Sequence, residues 1–91
     1  MDQHTFQLQG IAGNYALAQV EGRRFPGLLI QGDSLHGFQL VIRELEAAFR
    51  SKDGDMTEAT LEEVAETIDG MVEAYERMMR EKGLDLPYFR S

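Results

Sequence analysis

The order of hydrophobic and polar residues changes its period once along the chain. In the N-terminal third, apolar and polar residues alternate, and from about residue 34 the apolar residues recur every three or four positions. Alternation is typical of strands with one buried face, and the longer spacing is typical of amphipathic helices. The pattern therefore predicts strands first and helices afterwards.

Three N-terminal segments are candidate strands. Alternation predicts the first around Phe6 to Gln9, and Gly10 to Asn14 are expected to form a turn-rich break after it. Tyr15 to Val20 alternates again and predicts a second strand. Leu28 to Gln31 lies between glycines and is too short for a helix, so it is predicted to be a buried third strand. Whether the sheet has two or three strands stays open.

A first helix is predicted over residues 34–51. Asp33 or Ser34 is expected to be its N-cap, because either side chain can accept a hydrogen bond from a free backbone N–H of the first turn. One stripe of this helix is apolar and is expected to be buried. Its members are Leu35, Phe38, Val41, Ile42, Leu45, Ala48 and Phe49.

A long second helix is predicted over residues 57–83, after a polar linker. It is expected to begin at Thr57 or Thr60, because Thr60 to Glu63 has the sequence of a capping box. Gly83 is expected to form a left-handed C-terminal cap. The apolar stripe comprises Leu61, Val64, Ile68, Met71, Val72, Tyr75, Met78 and Met79.

The length and the element order predict a single domain over residues 1–91. The predicted class is α+β, with a small antiparallel sheet of two or three N-terminal strands packed against two C-terminal antiparallel helices. The β-rich part covers residues 1–32, and residues 84–91 form a tail. The second helix is long for so small a domain, so part of it is expected to overhang or to meet another chain.

Composition narrows the functional classes. The chain has no cysteine, which excludes disulfides and thiolate metal sites and favours a reducing compartment, with the cytoplasm as the expected location. No apolar run reaches the length of a membrane span, and the polar N-terminus is unlike a signal peptide. We therefore expect no membrane association.

The net charge of −7 is unevenly distributed. Residues 1–45 hold three basic and four acidic residues, whereas residues 46–91 hold six basic and twelve acidic residues. Direct binding to nucleic acid requires cations that neutralise phosphates, so this charge disfavours it. A basic protein surface is the better partner, although acidity alone also confers solubility.

The sequence Gly32-Asp33-Ser34-Leu35 resembles the nucleophile block of the GDSL esterases and lipases. In that family a histidine acts as base for the serine, and an asparagine helps to stabilise the oxyanion. Here the histidines are His4 and His36, and the latter is two residues from Ser34, where a helix turns the two side chains apart. We expect no enzyme activity, no cofactor and no metal site, because neither histidine has a ligand cluster nearby.

Five carboxylates recur along the predicted second helix at spacings of three and four, which places them on one face. This acidic ridge comprises Glu62, Glu66, Asp69, Glu73 and Glu76. Like charges at these spacings repel, so the ridge is either a solvated surface or a docking surface for a basic partner. Asp53 and Asp55 in the linker complete the predicted partner-binding residues.

The stretch from Gly22 to Leu35 resembles the core of a family of small uncharacterised bacterial proteins. Shared features are the Arg-Phe-Pro-Gly turn at residues 24–27, a hydrophobic strand, the Gln-Gly-Asp-Ser-Leu helix start and the ending Leu86-Pro87-Tyr88. That family implies no established activity. In size and acidity its members are similar to immunity proteins, which neutralise interbacterial toxins by covering the active site.

The expected function is therefore that of an immunity-type protein. It would bind a cognate bacterial toxin domain that acts on nucleic acid or nucleotides and cover its electropositive active site, with no direct contact to nucleic acid. The alternative is a structural or regulatory domain that forms a homodimer through the long helix. Arg23 and Arg24 could bind phosphate or pair with acids of the same fold, and the sequence leaves their role open.

Overall fold

A computed structural model describes the backbone of residues 6–12 and the backbone and side chains of residues 14–90. Within these ranges the chain forms three strands and then two helices, as the α+β class predicts. The elements are β1 (Phe6–Ala12), β2 (Tyr15–Val20), β3 (Gly27–Ile30), α1 (Gly32–Arg50) and α2 (Gly54–Glu81). The described part of the sheet therefore has three strands.

The sheet is antiparallel, with the strands in the order β1-β2-β3. The predicted break at Gly10 to Asn14 is wrong for Gly10 to Ala12, because β1 continues to Ala12, which pairs with Tyr15, whereas Asn14 does lie in a turn. The register shifts between Leu8 and Gly10, and this bulge lets the strand accommodate an extra residue without ending. Gln31, predicted to end the third strand, instead precedes α1 as its N-cap.

The chain divides into two compact units. Unit 1 comprises residues 1–30 and 72–91, and unit 2 comprises residues 31–71. The sheet, the C-terminal part of α2 and the tail therefore belong to unit 1. The helix α1 and the N-terminal part of α2 belong to unit 2.

The core of unit 1 forms where the sheet meets the end of α2. Leu17 on β2 and Met79 on α2 are fully buried, and Ala74 and Met78 complete the cluster. Partly buried side chains pack around it, namely Tyr15, Phe25, Leu28, Tyr75 and Leu86. Burying a side chain such as leucine or methionine stabilises a fold by about 1.5–3 kcal/mol, so this cluster is the main packing interaction of the unit.

A hydrogen bond joins α2 to the turn before β3. The Tyr75 hydroxyl donates to the backbone carbonyl of Pro26 at 2.7 Å, across 49 positions of sequence. Pro26 is buried, and burial also raises the pKa of the Tyr75 phenol above its ordinary value. The Arg-Phe-Pro-Gly turn is thus tied to the helix by a sequence-distant contact.

The start of α1 differs from the prediction. Neither Asp33 nor Ser34 is the N-cap, because the Gln31 carbonyl already accepts the first helical hydrogen bond, from Leu35 N–H at 2.9 Å. The helix therefore begins at Gly32, and Asp33 lies in its first turn, where its carboxylate accepts from Ser34 N–H at 2.8 Å. A negative charge at this position still favours the helix through the macrodipole.

A tight connection of three residues joins α1 to α2. Lys52 has a φ of 60°, and Asp53 N–H donates to Ala48 O at 3.0 Å, which together form a Schellman motif. The Asp53 carboxylate then accepts from Met56 N–H at 3.1 Å and so caps α2. Asp53 thus starts the helix earlier than the predicted capping box, and Thr60 lies inside α2.

The C-terminal end of α2 follows the prediction. Gly83 has a φ of 67°, a left-handed conformation that glycine adopts at little cost. Leu84 N–H donates to Met79 O at 2.9 Å, which is the long bond of a second Schellman motif. The helix itself ends at Glu81, two residues before this glycine.

Each helix of unit 2 has one sheltered face, at spacings of three and four. On α1 the sheltered residues are Ser34, Phe38, Val41, Leu45 and Ala48. On α2 they are Thr57, Thr60, Val64, Thr67 and Met71. The three threonine hydroxyls each donate to the carbonyl four residues earlier, so these polar groups are satisfied within the helix. Because the two series match when read in opposite directions, we infer that these faces meet in the helical hairpin.

Replacing Lys52 with glycine is expected to stabilise the protein. A side chain in the left-handed region is strained by roughly 1 kcal/mol, and glycine removes that strain at a position that favours it. Urea unfolding of Lys52→Gly should therefore show a free energy of unfolding higher by about 0.5–1 kcal/mol. Ser51→Gly is the control: Ser51 is right-handed and its hydroxyl donates to Ala48 O at 3.1 Å, so stability should fall. Equal effects of both variants would contradict the assignment.

Removing the Tyr75 hydroxyl is expected to destabilise unit 1. In Tyr75→Phe the Pro26 carbonyl loses its donor, which costs about 1 kcal/mol for a hydrogen bond of this kind. Tyr88→Phe serves as the matched control, because its hydrogen bond to Glu76 is exposed and its loss should change stability by less than about 0.5 kcal/mol. Thermal unfolding followed by circular dichroism measures both variants.

Candidate protein-binding surface

The excess negative charge of the chain belongs entirely to unit 2. Residues 31–71 contain ten acidic and three basic side chains, whereas the residues of unit 1 contain six of each. The net charge of −7 is therefore the charge of unit 2, and unit 1 is neutral. The division by units is sharper than the division by sequence halves, because residues 72–91, which belong to unit 1, hold four basic and four acidic side chains and so contribute no net charge.

The two predicted residues of the linker lie at the start of α2. Asp53 is the N-cap, so its carboxylate already accepts a backbone hydrogen bond. Asp55 lies in the first turn and is exposed. Both charges stand at the positive end of the helix dipole, where they also stabilise the helix. Each therefore has a structural role beside any role in binding.

Most of the acidic ridge is exposed on α2. Glu62, Glu66 and Asp69 are exposed in unit 2, and Glu73 is exposed in unit 1. At about 100° per residue, the ridge lies roughly 180° from the sheltered face of α2. These four carboxylates are thus exposed to solvent, and their role in binding stays a prediction.

Glu76 differs from the rest of the ridge because the C-terminal tail already binds it. Its carboxylate accepts from the Tyr88 hydroxyl at 2.9 Å and pairs with Arg90 at 3.2 Å, and only 15% of its side chain is exposed. Partial burial, and then the hydrogen bond to Glu76, raise the pKa of Tyr88. Glu76 therefore holds the tail on unit 1, a role that the spacing along the helix does not reveal.

Seven large apolar residues of unit 2 are exposed, and five of these, with 42% to 73% of each residue accessible, follow matching stripes along α1 and α2. We call these five the apolar face; they are Leu35, Ile42 and Phe49 of α1, and Leu61 and Ile68 of α2. The prediction that Leu35, Ile42 and Phe49 are buried is wrong, whereas for the stripe of α2 burial is not predicted from the sequence. The sheltered stripe beside them already contains large apolar side chains such as Phe38, Leu45 and Met71, and a helical hairpin covers only one narrow stripe of each helix.

These five side chains lie on one side of the hairpin. On each helix the stripe lies about 70–80° around the helix axis from the sheltered face, in the sense in which the helix winds from its N- to its C-terminus. Antiparallel helices that face each other wind in opposite senses when viewed from one end, so both stripes lie on the same side of the pair. Phe49 and Leu61 indeed line one shallow depression, with Lys52, Gly54, Thr57 and Glu58 around them. A second depression on α1 is lined by Leu35, Phe38 and Ile42.

The seven-residue spacing of the apolar face can be read from the sequence, but this spacing does not show that the side chains are exposed. Leu35, Ile42 and Phe49 are seven residues apart, as are Leu61 and Ile68. This spacing marks a stripe distinct from the one at positions 34, 38, 41, 45 and 48. A hydrophobic stripe is normally read as core, so only the structure separates the two.

Ser34 and His36 do not form a catalytic pair. Both lie in the first turns of α1, two residues apart, so their side chains point about 160° away from each other around the helix. His4, the other candidate base, lies outside the described residues. Within residues 6–12 and 14–90, no cluster of three or more metal-ligating side chains is present. None of the helices in these ranges is apolar enough over a sufficient length to cross a membrane.

A groove in unit 1 brings together the two most distinctive segments of the sequence. Arg24 and Phe25 of the Arg-Phe-Pro-Gly turn line it on one side, and residues 85–90 line it on the other. The Arg24 guanidinium lies 5.2 Å from the centre of the Phe25 ring, a cation–π contact. The tail thus lies beside this turn, and Leu86 of the tail packs on the core of unit 1.

Comparison with known proteins gives a family but no activity. No curated protein matches this chain significantly, and no protein of known structure does so. A family model does match, over residues 1–88, which is nearly the whole chain. The protein therefore belongs to the family described as a family of unknown function, DUF6959.

Proposed function

We propose that this protein is an immunity-type inhibitor that binds a cognate bacterial toxin domain and covers its active site. The toxin would act on nucleic acid or nucleotides, because enzymes that bind phosphates carry electropositive active sites. Such an inhibitor acts in the cytoplasm, needs no cofactor and performs no reaction of its own. Its work is to occupy a basic surface.

The observation that carries this proposal is the concentration of charge in unit 2. The whole excess of −7 lies on 41 residues that also expose the carboxylates of Glu62, Glu66 and Asp69. Like charges at these spacings destabilise an isolated helix by a few tenths of a kcal/mol per pair. A basic partner would offset that repulsion.

Electrostatics of this kind acts mainly on the rate of encounter. Complementary potentials can raise an association rate constant from about 10⁵–10⁶ to as much as 10⁸–10⁹ M⁻¹s⁻¹ at low salt. A rapid encounter suits an inhibitor that must bind its toxin before the toxin reaches its substrate. The neutral unit 1 would contribute little to this steering.

Self-association is a second candidate, and the apolar face favours it. Two hairpins that bury their apolar faces against each other would form a four-helix arrangement. The charge opposes this pairing, because each copy would bring a unit of net charge −7 to the contact. We therefore rank it below binding to a basic partner.

The proposal predicts protection of cells. Bacterial cells expressing a toxin domain encoded beside the gene for this chain should survive when the chain is co-expressed and should die without it. The purified pair should form a complex of equal stoichiometry that inhibits the toxin's hydrolysis of nucleic acid or nucleotide. If no toxin encoded in the gene neighbourhood is neutralised or bound, the immunity proposal fails.

Charge reversal on the ridge should slow association with that toxin. Glu62→Lys with Glu66→Lys should reduce the association rate constant by about tenfold at low salt, with a smaller effect at 0.5 M salt because the charges are then screened. Glu81→Lys with Asp85→Lys is the matched control, since it changes the net charge equally but in unit 1. Stopped-flow fluorescence measures both, and equal slowing would mean that net charge matters and position does not.

A further inference from the structure

We propose that the apolar face of unit 2 is the anchor of a protein interface, and that its occupant is an amphipathic, basic surface of a partner protein. This inference rests on the proposed function, because it specifies where and how a basic partner is held. It moves the centre of the binding site from the acidic ridge to the five side chains Leu35, Ile42, Phe49, Leu61 and Ile68.

The first argument is that these side chains are exposed together. Single exposed apolar residues are ordinary on protein surfaces, but a contiguous group drawn from two helices is typical of an interaction site. Phe49 is the most exposed of the five, at 73%, and it shares a depression with Leu61. An aromatic side chain beside a shallow apolar depression is the usual form of an interface anchor.

The second argument is that this face belongs to the unit that carries the whole net charge of −7. Close to the face the charges are mixed: Glu58 and Lys52 line the depression that contains Phe49 and Leu61, and Glu46 pairs with Arg50 at 3.4 Å. A partner with an apolar centre and a net positive charge is complementary to an apolar face on so acidic a unit. A second copy would bring the same net charge of −7 to the contact.

The third argument is that the apolar face and the acidic ridge lie on different sides of α2. At about 100° per residue, the ridge lies roughly 110° around α2 from Leu61 and Ile68, so one flat contact would not cover both fully. Charged side chains can attract a partner even when they lie outside the contact area, whereas apolar side chains add to the binding free energy only where the partner buries them. The ridge therefore governs association, and the apolar face governs dissociation.

A pair of model peptides tests this proposal without the natural partner. The probe is an 18-residue amphipathic helix with a leucine face and lysines elsewhere, and its counterpart has glutamates in place of the lysines. Isothermal titration at 0.15 M salt should show binding of the leucine–lysine peptide to the full chain and no binding of the leucine–glutamate peptide. Phe49→Ala with Leu61→Ala should weaken the affinity at least tenfold.

The chain offers a matched control for this variant. Leu40 is on α1 and is exposed to a similar extent, 51%, but it lies about 160° around the helix from the apolar face. Leu40→Ala should change the peptide affinity by less than twofold. All of these positions are exposed, so the variants should retain the circular dichroism spectrum of the parent protein.

Three results would overturn the proposal. The first is a leucine–lysine peptide that does not bind, or that binds the Phe49→Ala, Leu61→Ala variant and the parent equally. The second is equal binding of the leucine–glutamate peptide. The third is a dimer in sedimentation at micromolar concentration that the same variant abolishes, because the occupant is then a second copy. Failure of toxin neutralisation with the peptide results intact would refute the immunity function and leave this surface standing.

Discussion

The burial of Leu17 against Met78 and Met79 is the contact on which unit 1 depends. It joins the central strand of the sheet to the last turns of α2, and the rings of Phe25 and Tyr75 and the side chain of Leu86 pack around it. The hydrogen bond from Tyr75 to Pro26 lies at its edge. Because this core brings together residues from both ends of the chain, it also determines which charges belong to unit 1 and which remain in unit 2.

Unit 2 is organised differently, by local interactions at the ends of its helices. The left-handed Lys52 and the cap formed by Asp53 reverse the chain within three residues. The sheltered faces of its helices are rich in small and polar side chains, with the threonine hydroxyls bound to their own helix. These faces also shelter Phe38, Leu45 and Met71, but the five side chains of the apolar face stay exposed.

This division of the molecule is the structural basis of the proposed binding function. A neutral unit has a well-packed core, and a strongly acidic unit exposes Phe49, Leu61 and their neighbours. For stability alone, a chain gains nothing from exposing large apolar side chains next to repelling carboxylates. Both features become favourable when a surface of opposite charge and matching apolar centre covers them. The proposed protein-binding role accounts for the two features together.

The sequence by itself determined the α+β class, the order of the elements and the glycine cap at Gly83, because these follow from local periodicity and capping chemistry. It also located most of the exposed acidic ridge. It did not reveal that Asp53 starts α2, that β1 continues through a bulge, or that the tail binds Glu76, since each depends on which backbone or side chain comes near in space. Only the tertiary structure decided which apolar stripe of α1 is sheltered, because a hydrophobic periodicity defines a stripe but not the surface that covers it.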